Sequence, residues 1–290
     1  MNEQEIRAIV EEMVREMAPV QASAGPVRTE ERTSVVSDGC LEDISELDLR
    51  ELYLVEHPQN KEGFQELKRR TPARLAVGRA GARYKTLTQL RMRADHAAAQ
   101  DSVFSMVDEG FVDKQGYVQV QTLCEDKDQY LTRPDLGRRF GPEAQEMIKR
   151  TFGAKPAVAL VVGDGLSSAA IEANAADCVA AIQQGLKAYH IEPGPVLFVK
   201  YCRVGASDHI GDLTGAEVVC MLVGERPGLV TAESMSAYLT YGAHIGIPES
   251  KRTVISNIHR QGTTAVEAGA HIAELIDRMR KQKASGIDLK

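Results

Sequence analysis

The chain has 290 residues, room for one large domain or two modest ones, and enough to bury a core without disulfides or a structural metal. With 43% hydrophobic and 26% charged residues it has the make-up of an ordinary folded protein, which excludes a mainly disordered or collagen-like chain. The net charge of -6 gathers at the start: residues 1–45 hold ten acids and four bases, leaving 31 of each sign behind them, a balance that excludes a general nucleic-acid binder.

In chain order, Asn2 to Met17 predicts an amphipathic helix, with Ile6, Ile9, Val10, Met13, Val14 and Met17 forming one apolar stripe. Acids run through what would be the apolar heart of a secretory signal and no basic leader precedes them, so an intracellular chain is expected. Residues 18–39, rich in Ala, Ser, Pro and Gly, predict a flexible linker. The stripe alone leaves three outcomes open: docking on a partner, folding back on the body, or fraying.

Residues 46–153 predict a mostly helical segment, with helices at 46–54, 61–70, 86–109 and 142–151, the last opened by Gly141-Pro142. A strand is expected at Tyr117 to Leu123. Residues 68–93 carry nine Lys or Arg and no acid, a local positive patch that suits a solvated surface, a phosphate-bearing ligand or an acidic protein face. Only Tyr84 accompanies it, so single-stranded nucleic acid is poorly supported.

From residue 154 to 290 short apolar runs alternate with helical ones, the rhythm of a Rossmann-like parallel sheet with crossover helices. Strands are expected at Ala157 to Val162, Val196 to Tyr201, Val218 to Val223 and Thr253 to Ser256, and helices near 166–188, 207–214, 232–241 and 264–283. Thr264 and Glu267 form a capping-box pattern. The small residues Ala265, Ala268, Gly269, Ala270 and Ala273 suit close packing on a sheet. The longest apolar runs, Ala157 to Val162 and Val218 to Val223, fall far short of the roughly 20 residues that cross a bilayer, so no membrane association is expected.

The five cysteines form no CxxC pair and read as reduced core thiols. The seven histidines lack HxxxH or HExxH spacing, so no metal site is expected. No GxSxG elbow or Walker motif is present, and no residue is assigned a catalytic role. Val162-Gly163-Asp164-Gly165-Leu166-Ser167-Ser168 follows a strand and opens a helix, which reads either as an anion site or as a tight turn without ligand. Against a dinucleotide-dependent oxidoreductase, the alternative function, the third fingerprint position is Ser168, and Lys200, Tyr201 and Arg203 stand where an acid is needed. In an open parallel sheet ligands bind beyond the carboxyl ends of the strands. The segments there are Tyr201 to Val204, Gly224 to Gly228 and Val254 to His259. Gly224 and Gly228 would let a bulky ligand approach the backbone, and Glu225 offers an acceptor to amide or hydroxyl donors. A large, mostly neutral cofactor fringed with amides fits that description.

Five stretches in one order, LTRPDLGRR (131–139), VGDGLSS (162–168), LVGERPGL (222–229), ISNIH (255–259) and KASGI (283–287), closely resemble the light, or small, subunit of ethanolamine ammonia-lyase. The resemblance runs from about Thr71 to the C-terminus. It implies the small subunit of a carbon–nitrogen lyase that converts ethanolamine to acetaldehyde and ammonia by adenosylcobalamin-dependent radical chemistry. It further implies a heavy chain that holds the substrate and contacts residues 46–153, in a hetero-oligomer of dodecameric form. The α/β segment would cover part of the cobalamin, and the cofactor contacts carried over by position are Val204, Glu225 and Val254. Position 254 is cysteine in some relatives, and valine here offers a backbone contact in place of a polar side chain. The chain lacks DxHxxG, since Asp208-His209-Ile210-Gly211 has another spacing, which fits a family that keeps dimethylbenzimidazole below cobalt. Similar N-terminal helices address enzymes to bacterial microcompartments, so residues 1–20 are expected to meet shell or cargo proteins and the enzyme to reside there, within the cytoplasm.

Overall fold

The computed structural model describes residues 43–71 and 73–290; the expected helix at Asn2 to Met17, its stripe and the linker at 18–39 lie outside the described residues. The chain enters through a short 3-10 turn, Ile44–Glu46, where a helix over 46–54 was expected. Two competitors explain the difference. The Asp48 carboxylate takes the Arg50 backbone N–H at 2.8 Å, a local bond that diverts the backbone from helix. The Leu49 and Leu52 carbonyls accept from the buried Lys68 ammonium at 2.6 and 2.8 Å, so they are lost to a continuing helical ladder.

Lys68 belongs to α1 (Lys61–Arg69). A hairpin of β1 (Arg79–Ala80) and β2 (Arg83–Tyr84) follows, unannounced by any sequence pattern. The single helix expected over 86–109 is two, α2 (Thr86–Phe104) and α3 (Glu109–Gln115). Ser105 is extended, and the Asp108 carboxylate caps α3 by accepting the Phe111 N–H at 3.1 Å. Then come β3 (Val118–Gln121), the unexpected α4 (Lys127–Thr132) and α5 (Pro142–Phe152), with proline in its first turn as expected.

The remainder is β4 (Val158–Gly163), α6 (Ser168–Ala188), β5 (Val196–Lys200), α7 (Ala206–Thr214), β6 (Val218–Gly224), β7 (Met235–Tyr241), β8 (Arg252–Ile258) and α8 (Ala265–Gln282). The six-stranded sheet has the order β3-β5-β4-β6-β7-β8. Its first four strands are parallel, while β7 runs antiparallel to both β6 and β8. The α/β architecture holds and the sheet is mostly parallel. The helix expected at 232–241 is a correction: that segment is β7. Met235, Tyr238 and Leu239 mimic helical spacing, but the segment lies between two strands and is largely buried on both faces.

One face of the sheet packs on α6 and α8 through Leu160, Val162, Leu222, Ala237 and Leu239. The other packs on α5 and α7 through Val161, Leu197, Val199, Met221 and Ile210. The small residues of α8 serve its contact with α6, a helix partner where a sheet was expected: a Cβ on Gly269 would lie 2.7 Å from the Cys178 carbonyl. Among the described residues no helix is long and apolar enough to cross a membrane.

Candidate functional site

The turn after β4 is closed by its own chain. The Ser167 hydroxyl caps α6 by accepting the Ala170 N–H at 3.1 Å and donates to the Ala232 carbonyl. The Ser168 hydroxyl reaches the Ser105 carbonyl (2.8 Å) and the Asp164 carboxyl (3.0 Å). Lys127 lies across the turn with Nζ 3.3 Å from the Gly165 carbonyl. Burial pushes the Asp164 carboxyl up, with Lys127 opposing, and burial pulls the Lys127 ammonium down. The side chains of the turn are thus engaged by the chain itself, an arrangement that favours the tight turn over a pyrophosphate seat. Gly224 joins the same packing: a Cβ on it would lie 2.0 Å from the Ser167 carbonyl. Its missing side chain admits backbone, not a ligand as the sequence suggested.

The carboxyl rim of the sheet carries a more open arrangement. Glu225, just past β6, is half-buried, and its Oε1 accepts from the Tyr238 hydroxyl at 2.7 Å. Burial and then the Glu225 carboxylate raise the Tyr238 phenol, which stays a donor. Tyr238 on β7 stands opposite Val254 on β8, so one tyrosine joins two of the residues carried over by resemblance. Val254, expected at a carboxyl strand end, is instead the third residue of β8, level with Tyr238 and Met221, because β8 starts at Arg252; it is 47% exposed. Leu229 and Val230 are exposed on the loop after β6, beside Arg74 and Gln261. β8 is the last strand of the sheet and leaves one side of its backbone unpaired there.

Val204, between β5 and α7, is linked to β8 through a second relay. Its carbonyl accepts from the Ser207 N–H (3.1 Å) and hydroxyl (2.7 Å). The Arg252 guanidinium donates to Asp208 at 2.7 and 2.9 Å and to Ser207 at 3.3 Å. Arg252 is the first residue of β8, two before Val254, so α7 and β8 are clamped at the start of that strand. The Val204 carbonyl is thus engaged, and its side chain is half-buried.

Tyr238 and Arg252 escaped the sequence reading because the first lay in a segment read as helix and the second before the strand expected at 253–256. A signal existed: Met235, Ala237 and Leu239 alternate with Ser236, Tyr238 and Thr240, the period of a strand. Ser236, on the face of Tyr238, is fully buried with a hydroxyl that has no hydrogen-bond partner among the described residues.

Other candidates resolve as structure. The basic stretch is largely paired: Arg74 and Arg91 meet Asp95 at 2.7 and 2.9 Å, Arg70 meets Glu66, and Lys85 meets Glu56. Arg203 lies 4.2 Å from the Tyr130 ring centroid and donates to the Tyr130 carbonyl at 2.6 Å. Cys124, Cys178, Cys202 and Cys220 are buried free thiols, and burial pushes Cys178 up to about 12. Such buried thiols are inert rather than nucleophilic.

A family model described as "Ethanolamine ammonia-lyase light chain (EutC)" matches residues 61–290. The chain is 59% identical over 293 residues to the ethanolamine ammonia-lyase small subunit of Clostridioides difficile (strain 630), covering all of both chains. It is 59% identical over 295 residues to that of Clostridium perfringens and 54% identical over 294 residues to that of Listeria monocytogenes serotype 4a, again over the full length of each. On a match of this extent, the chain belongs to the ethanolamine ammonia-lyase light-chain family.

Proposed function

We propose that this chain is the small subunit of an adenosylcobalamin-dependent ethanolamine ammonia-lyase, and that the rim of Val204, Glu225 and Val254 forms one wall of the cobalamin site. The heavy chain, the partner that a small subunit implies, supplies the opposite wall and the pocket for ethanolamine. The observation that carries the reading is an acceptor carboxylate just past β6, held by the Tyr238 hydroxyl, with the exposed Val254 on the strand beside that tyrosine.

The residues fit the group. A corrinoid presents a broad apolar face fringed with carboxamide donors. Val254 offers exposed apolar surface, Glu225 offers an acceptor, and Val204 adds a half-buried isopropyl group. Adenosylcobalamin, when bound, supplies homolysis of a cobalt–carbon bond and with it the radical chemistry that turns ethanolamine into acetaldehyde and ammonia. The protein's share on this chain is binding, orientation and exclusion of water. No proton transfer is assigned to any residue here, in keeping with thiols buried away from the rim and an Asp164 closed into its turn.

The test is equilibrium binding of adenosylcobalamin to the two-chain complex, followed by absorbance. Glu225→Ala is expected to raise Kd by roughly tenfold, the loss of a hydrogen bond to a charged acceptor, while heavy-chain association stays as in the wild type. An unchanged Kd would overturn the reading.

A further inference from the structure

Glu225 does not stand alone at the rim, and its partner has no assigned role. A glutamate on a loop past a strand has three rotatable side-chain bonds, and an unrestrained carboxylate loses much of its hydrogen-bond energy to ordering when a ligand arrives. Here the freedom is already gone. The Tyr238 hydroxyl donates to Oε1 at 2.7 Å, and Tyr238 itself is set in a central strand, opposite Met221 on one side and Val254 on the other. Its ring packs against the core beneath α5 and α7, so the hydroxyl is delivered from a rigid base. The Glu225 N–H is also tied, donating to the Ser234 carbonyl at 2.9 Å. With backbone and one carboxylate oxygen both held, Oε2 is left to accept from outside the chain.

We propose that Tyr238 is the positioning residue of the cofactor wall: its hydroxyl fixes the Glu225 carboxylate so that the second oxygen accepts from a neutral amide or hydroxyl donor on the ligand's edge. The inference rests on the cobalamin reading above and adds a specificity to it. A clamped carboxylate acceptor favours an edge that carries N–H or O–H groups and disfavours an edge that carries carboxylates. Corrinoids whose side-chain amide at this edge is hydrolysed to the acid are therefore discriminated against. Burial keeps the phenol protonated, so the donor persists through neutral pH.

The experiment is a double-mutant cycle on the two-chain complex, with adenosylcobalamin Kd as the readout for wild type, Tyr238→Phe, Glu225→Ala and the double variant. Tyr238→Phe keeps the ring and its packing and removes only the hydroxyl. The expected result is a Kd raised roughly three- to tenfold in the wild-type background and changed by less than about twofold in the Glu225→Ala background, because the hydroxyl acts through the carboxylate. A merely structural tyrosine would give the same loss in both backgrounds, and that additivity would overturn the proposal while leaving the cobalamin reading in place. If Glu225→Ala itself leaves Kd unchanged, the cobalamin reading falls first. A second arm uses cobalamin monocarboxylates as probes. The wild type is expected to bind at least one acid isomer more weakly than the amide, and Tyr238→Phe to narrow that ratio. Equal affinity of all isomers with the amide would overturn the specificity.

Discussion

Arg252 shows how much of the rim depends on single side chains. Its side chain is 2% exposed and donates to Asp208 in bidentate fashion at 2.7 and 2.9 Å, while Glu249 adds a contact from the solvent side. A buried pair of this kind contributes little against an apolar replacement of both partners, but breaking it leaves a charge without a partner. Arg252→Ala is therefore expected to destabilise the fold by about 3 kcal/mol, read as a lowered urea midpoint. Arg252→Met with Asp208→Leu is expected to recover much of the loss. A cost below about 1 kcal/mol, the level of an exposed pair, would contradict the clamp. At this scale the sequence is only half informative. Glu225 stands just past the end of β6, where strand reading alone points to a ligand crevice, whereas Val254, expected at such an end, is the third residue of β8. Arg252 reads as one more surface base until α7 brings Asp208 to it, a contact 44 residues away in the chain.

Elements were legible where one period dominates. The wholly buried runs of β4 and β6 and the capped helix α8 are plain in the residues. β7 is ambiguous, since its strand-like alternation competes with the helical spacing of Met235, Tyr238 and Leu239. The loss of the 46–54 helix to Lys68 is likewise invisible locally, because the competing ammonium comes from another element. His209 on α7 gives a test at this scale. Its Nδ1 accepts the Phe140 N–H at 3.2 Å, tying α7 to the chain entering α5, and burial, aided by the charge of Arg139, lowers its pKa. The unfolded chain thus takes up the proton first. This contribution to stability is full above the ordinary histidine range near about 6.5 and fades as pH falls through the lowered value. The Tm difference between wild type and His209→Leu is expected to be larger at pH 7.5 than at pH 5.5. A difference independent of pH would contradict the assignment.

On the scale of the whole molecule, the described chain is a sheet sealed on both faces and closed at its central turn, with one rim left apolar and aimed. The turn at 163–168, where a nucleotide enzyme would hold phosphate, is packed by Ser102, Ser105 and Lys127. Openness moves instead to the β6–β7–β8 side, where the antiparallel return of the chain sets Tyr238 beneath Glu225. That return could not be read from the alternation of strands and helices, which predicts a parallel sheet throughout. The most direct measurement is the structure of the two-chain complex with adenosylcobalamin bound. The account expects a corrin-edge donor on the Glu225 carboxylate, van der Waals contact with Val204 and Val254, and heavy chain on the far side of the ring. A corrinoid enclosed by the heavy chain alone, or seated on this chain away from that rim, would contradict it.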